Sequence, residues 1–181
     1  MGPSAKAGTW IRTSPSALAS AAGVTPDVYT LGAVMRSEAG QGPEAERIAV
    51  AWVVRNAARA AGKSVTAWAT SATGKSNGFY GAQNFESRDV STQLAPRQSD
   101  LDIAQQILGG QIPDNTGGAT NFLHPAGQNA LARTGLTGYT ASAKTVIARW
   151  AAKGLQARNV NGAPRLLVFV PSKQLPKAGV A

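Results

Sequence analysis

Apolar positions recur at helical spacing in four stretches of the chain. The first opens at Thr25-Pro26-Asp27. Thr25 can cap, Pro26 suits the first helical position, and Asp27 complements the positive end of the helix dipole. Val28, Leu31, Met35 and Glu38 follow at spacings of three, four and three, which places them on one face. The fourth member of this otherwise apolar stripe is a carboxylate. After the break Ala39-Gly40-Gln41-Gly42, Pro43 begins a second helix. Its inner face holds Ala45, Ile48, Ala49, Trp52, Val53 and Asn56, and Gly62 is placed to end it. Glu44 and Glu46 fall in its first turn and read as dipole partners. Ser99 with Asp102 opens a third helix, with Leu101, Ala104, Ile107 and Leu108 inward and Gly109-Gly110 as its stop. Thr140 caps a fourth, carrying Ala143, Val146, Ile147 and Trp150 and ending at Gly154.

Between these helices the pattern is irregular over residues 64–96 and 114–139, with loops or a short hairpin expected in the former. Arg165 to Val170 reads as one short strand. The expected fold class is mainly α with small β elements (α+β). One domain is expected over residues 25–170, preceded by a flexible arm or linker (1–24) and followed by a tail (171–181). No internal repeat is evident.

Composition narrows the chemistry. The 181 residues include no cysteine, which removes disulfides, thiolate nucleophiles and cysteine-held metals. A single histidine, His124, excludes a poly-histidine site, so neither a metal nor a cofactor is implied. Nine carboxylates must supply any acid–base chemistry. The net charge of +9 suits a polyanionic partner: nucleic acid, an anionic membrane surface or an acidic cell-wall polymer. Lys and Arg are scattered rather than clustered, so no nucleic-acid partner is expected. No run approaches the roughly 18 apolar residues of a transmembrane segment. Residues 1–24 lack the unbroken apolar core of a signal peptide, being interrupted by Pro15 and by Ser and Thr.

Glu38 is the most informative position. One reading is a rim residue paired with Arg36 or Arg47. The other is a desolvated carboxyl that keeps its proton near neutral pH and serves as a general acid. Glycosidic cleavage needs such a group, because the leaving oxygen must receive a proton as its bond to the anomeric carbon breaks.

The run Val34-Met35-Arg36-Ser37-Glu38-Ala39-Gly40-Gln41-Gly42-Pro43-Glu44-Ala45, continuing through Ile48-Ala49-Val50-Ala51-Trp52-Val53-Val54-Arg55-Asn56, resembles the spore-cortex-lytic type of cell-wall hydrolase. That family belongs to the lysozyme-like superfamily. Two further segments match in order: Gln83-Asn84-Phe85, and residues 104–110 followed by Asp114-Asn115-Thr116-Gly117-Gly118-Ala119-Thr120-Asn121-Phe122-Leu123-His124-Pro125. The resemblance covers roughly residues 28–126. It implies a lysozyme-like domain that cleaves peptidoglycan glycan strands between N-acetylmuramic acid and N-acetylglucosamine, as a lytic transglycosylase or muramidase with Glu38 as acid/base. The alternative is a cell-wall-binding or virion structural module that keeps the fold without turnover.

The family commonly carries another glutamate where this chain has Gly42. A second carboxylate, if the reaction uses one, is expected at Glu86 or Asp89. The departure favours transglycosylation, for which one carboxylate suffices. Tyr80, Phe85 and Phe122 are candidate sugar-stacking aromatics. Gln83 and Asn121 are candidates for hydrogen bonds to N-acetyl groups, and His124 is a candidate groove residue. The expected place of action is the bacterial cell wall, in the periplasm or outside. The protein would reach it carried in a bacteriophage particle, alongside other particle proteins, or released as an endolysin.

Overall fold

The computed structural model describes residues 14–71, 95–135 and 140–174. Among them run seven helices and three strands: α1 (Pro15–Ala21), α2 (Pro26–Ala39), α3 (Glu44–Ala60), α4 (Val65–Ala69), α5 (Gln98–Leu108), β1 (Asn121–Leu123), α6 (Pro125–Thr134), α7 (Ala143–Ala152), β2 (Leu155–Asn159) and β3 (Leu167–Pro171). A 3-10 turn, Ser172–Gln174, closes the described chain. The fold is α+β, mainly helical, as the sequence led one to expect.

Helix α2 is central, packing against α1, α3, α4 and α5. The Thr25 side chain caps it by accepting from the Val28 N–H, and Pro26 stands at its start. Asp27 does more than complement the dipole. Its carboxylate accepts from the backbone N–H groups of Val65 and Thr66 at 3.3 and 2.9 Å, tying the start of α2 to α4. Leu31, Val34 and Met35 have no exposed surface, and they meet Val50, Val53 and Val54 of α3 and Ala104 and Ile107 of α5 in one core. Gly62 and Gly110, just past the ends of α3 and α5, take φ of +65° and +76°, the left-handed turn expected at such stops.

Three local expectations are corrected. The arm over residues 1–24 contains α1, whose cap is Ser14 and whose Ala19 is fully buried, packed against α2. An alanine-rich segment needs only one such contact to dock. The third helix starts at Gln98, with Asp100 rather than Asp102 closing the cap by accepting from the Arg97 N–H at 3.0 Å. The fourth is capped by Ser142, two residues after Thr140.

The sheet has the order β1-β3-β2 with both pairings antiparallel. Asn121 stands opposite Phe169, and Ala157 faces Phe169 from the other side. Val168 and Val170 join the main core, while Phe169 points the other way. There it meets Trp150 of α7 edge-on, with ring centroids 4.5 Å apart, in a smaller cluster with Leu123 and Ala143. Burial on both faces explains why β3 reads as an unbroken apolar run. Helices α4 and α6 and strands β1 and β2 lie where none of these elements was expected. α6 buries none of its residues, and β2 is mostly exposed. Neither carries the apolar stripe that makes an element legible. No helix among the described residues is long and apolar enough to cross a membrane.

Candidate active site

Glu38 occupies the last turn of α2, where the apolar stripe runs out, and is half-buried. Ser37 Oγ lies 3.4 Å from its Oε1. Around it opens a cleft of about 890 Å³, a size that accommodates sugar-sized ligands. Among the described residues its walls are 36–42, Glu46, 124–127, Pro164 and Arg165. Three parts of the fold therefore meet here: the α2–α3 turn, the β1–α6 junction, and the segment leading into β3.

Glu46 is the surprise. It has no exposed surface, although it lies in the first turn of α3. Arg165 donates to both of its oxygens, from Nε to Oε2 at 3.2 Å and from Nη2 to Oε1 at 2.9 Å. This bidentate geometry is the strong form of a charge-assisted hydrogen bond. His124 Nε2 lies 3.7 Å from the same Oε1, buried and without a hydrogen-bond partner among the described residues. Glu46 is thus more than a dipole partner, which corrects the expectation. A sequence signal for it existed. Ala49, Val50, Val53 and Ala57 follow it at helical spacing and are all buried, so Glu46 starts an apolar stripe much as Glu38 ends one.

Gly42 makes room for this pair. A Cβ there would lie 2.7 Å from Arg165 Nη2, 2.7 Å from Glu46 Oε1 and 2.8 Å from Glu46 Cδ. The side chain that Gly42 lacks would fill the space that the Glu46 carboxylate occupies.

His124 lines the cleft, and it precedes Pro125 at the start of α6. Asn121 and Phe122 do not line it. Asn121 pairs with Phe169 in β1 and accepts from the Thr120 hydroxyl at 3.1 Å. Phe122 packs against the core and meets the His124 ring edge-on, with centroids 6.0 Å apart. Its contact with His124 supports a wall of the cleft. Tyr80, Gln83, Phe85, Glu86 and Asp89 lie outside the described residues. Among the described residues no group of His and carboxylates is arranged to hold a metal ion.

A second polar network fixes the approach to β1. The Asp114 carboxylate accepts from the Thr116 hydroxyl and N–H, the Asn56 amide and the Gly118 N–H, at 2.6 to 3.0 Å. Burial works to raise its pKa, but the hydrogen bonds from Thr116, Asn56 and Gly118 outweigh burial and hold it below the ordinary value. This ties the segment that delivers His124 to α3.

Compared with known proteins, the chain matches no protein-family model, no curated protein and no solved structure.

Proposed function

We propose that this chain cleaves the glycan strands of peptidoglycan between N-acetylmuramic acid and N-acetylglucosamine. It does so as a lytic transglycosylase with a lysozyme-like fold and with Glu38 as general acid and base. The observation that carries the reading is the position of Glu38. A carboxyl at the end of a buried stripe, half-shielded, opens on a cleft of about 890 Å³ walled by the turn that follows it. The segments that carry the resemblance, around residues 34–45 and 121–125, both contribute to those walls.

In the reaction, Glu38 donates its proton to the glycosidic oxygen as the bond from that oxygen to the anomeric carbon breaks. The resulting carboxylate then takes the proton from the muramyl C6 hydroxyl. That oxygen closes on the anomeric carbon to form the anhydro ring. Glu38 ends as it began, and no water is consumed. One carboxylate is enough for this route. Glu46, the other carboxylate in the described walls, is wholly buried and occupied by Arg165, so it neither reaches a sugar nor orients a water. The net charge of +9 suits encounter with an anionic wall. A bacteriophage lysin, carried in the particle or released into the host, is the setting this reading supports.

The test is muropeptide release from purified sacculi. Wild-type protein should release fragments ending in anhydro-muramic acid, and Glu38→Gln should bind sacculi, stay folded and release none. Undiminished release by Glu38→Gln would refute the assignment of Glu38. Products with reducing ends would replace transglycosylation by hydrolysis.

A further inference from the structure

The Glu46–Arg165 pair is poorly explained by stability alone. Enclosing a carboxylate completely carries a large desolvation cost, and an apolar pair of similar volume commonly stabilises a fold as well or better. The chain nevertheless buries Glu46 entirely and keeps Gly42 where any larger side chain would collide with the pair. Arg165, by contrast, leaves 53% of its side chain exposed, and it does so at the cleft wall. The pair is one-sided, with the anion shut in and the cation facing out.

A guanidinium has five N–H donors in one plane. Glu46 takes two of Arg165's, through Nε and Nη2. The remaining donors have no partner among the described residues, and their plane is fixed by the two bonds behind them. Arg36 lines the same cleft, with one weak bond from Nη1 to the Gly40 carbonyl at 3.4 Å. The charges that the described walls present to an occupant are therefore two guanidiniums and one half-buried carboxyl, Glu38. Fixed, outward-facing guanidinium donors suit a planar anion.

We propose that Arg165 docks a carboxylate of the substrate, and that buried Glu46 is the positioning residue that aims it. The inference rests on the peptidoglycan reading, in which the charged groups near the scissile bond are carboxylates. One source is the lactyl group of muramic acid where the peptide has been removed; the other is the stem peptide, which caps the lactyl group and brings carboxylates of its own. Both present the same chemistry to a guanidinium.

Binding measured without turnover tests this. The 181-residue chain carrying Glu38→Gln would be titrated at low salt with three ligands. They are a neutral N-acetylglucosamine tetramer, a glucosaminyl-muramic acid oligomer with free lactyl carboxylates, and its stem-peptide counterpart. At least one anionic ligand should bind about tenfold or more tightly than the neutral one, as a charge-assisted bidentate contact allows. Which of the two does so identifies the source.

Arg165→Gln combined with Glu46→Gln removes both charges at similar volume, and should bring the anionic-to-neutral ratio to within about twofold of unity. Glu46→Gln alone should lower the ratio part of the way while leaving neutral-ligand affinity unchanged, a result that a purely structural role would not give. An unchanged ratio in the double variant overturns the proposal. So does an equal loss for neutral and anionic ligands, or no binding of any ligand. Sacculus release separates the two readings. Glu38-dependent release with no carboxylate preference defeats this inference alone, whereas an Arg165-dependent preference without release leaves the docking site standing and removes the catalytic reading.

Discussion

Glu46 and Arg165, 119 positions apart in sequence, are joined by two hydrogen bonds of 2.9 and 3.2 Å, yet one is wholly buried and the other half in solvent. Their mutants should therefore not be equivalent. Arg165→Ala takes the bidentate partner from a carboxylate that is fully buried in the native fold and leaves only His124 Nε2 near it, at 3.7 Å, a loss of about 3–5 kcal/mol. Glu46→Gln keeps the shape and one acceptor, and the freed guanidinium can turn to water. Its expected cost is about 1–3 kcal/mol. Urea denaturation of the two variants measures the difference, and equal costs would contradict the one-sided burial.

Gly42 offers an independent check on the same contact. A methyl group there meets the pair at 2.7 Å, so Gly42→Ala should destabilise by about 1–3 kcal/mol, as overpacking does. In a Glu46→Ala background the colliding carboxylate is gone and the half-exposed Arg165 side chain, released from it, can swing clear of the new methyl group, so the same substitution should cost much less. A double-mutant cycle should then report a coupling of about 0.5–3 kcal/mol. Additive costs would mean that the two side chains do not share this space.

The helices were legible wherever an apolar stripe had a cap and a stop. α2 follows Thr25-Pro26-Asp27 and α3 follows Pro43 within a residue. What could not be read from periodicity was what periodicity does not encode. α6 buries no residue, and β2 is exposed along most of its length, so neither has a stripe. Their places come from pairing with β3 and from the ends of neighbouring elements. Glu38 could be picked out because its carboxylate breaks an apolar stripe, and His124 because it falls in a segment that resembles the family. Arg165 could not, since nothing in its own neighbourhood marks it and its partner is far away in the chain. Glu46 was readable by the logic applied to Glu38, but its first-turn position offered a simpler explanation.

Asp100 repeats that pattern. It heads a stripe formed by Ile103, Ala104 and Ile107, has no exposed surface, and accepts from Arg47 Nη1 at 2.6 Å while capping Arg97 N–H. Arg47 is itself only 12% exposed. Asp100→Ala removes the cap and takes the strongest partner from a largely buried guanidinium at the α3–α5 contact, leaving it Ser99 Oγ at 3.3 Å and Glu44 at 3.8 Å. A loss of about 3–5 kcal/mol is expected. Arg47→Met with Asp100→Leu should recover most of it, since an apolar pair can fill the same space. Thermal melts of the single and double variants decide this, and a double variant no more stable than Asp100→Ala would show that the charges themselves are needed.

The Asp114 network gives the fold a specific acid sensitivity. Its carboxyl has a folded pKa below the ordinary value of 3.8, because hydrogen bonds from Thr116, Asn56 and Gly118 outweigh the upward push of burial. A group depressed on folding binds its proton more readily in the unfolded chain. Its contribution is therefore complete above the unfolded pKa and declines as the pH falls through the folded one. Asp114→Asn replaces one acceptor oxygen with a donor facing existing donors, and should cost about 1–3 kcal/mol at pH 6. Because the asparagine does not titrate, that gap should stay constant down to about pH 4 and then narrow towards pH 2. Urea midpoints for both proteins at pH 6, 4, 3 and 2 supply the comparison. A gap that holds its full size at pH 2 would mean that the ionised carboxylate is not what fastens the His124 segment to α3.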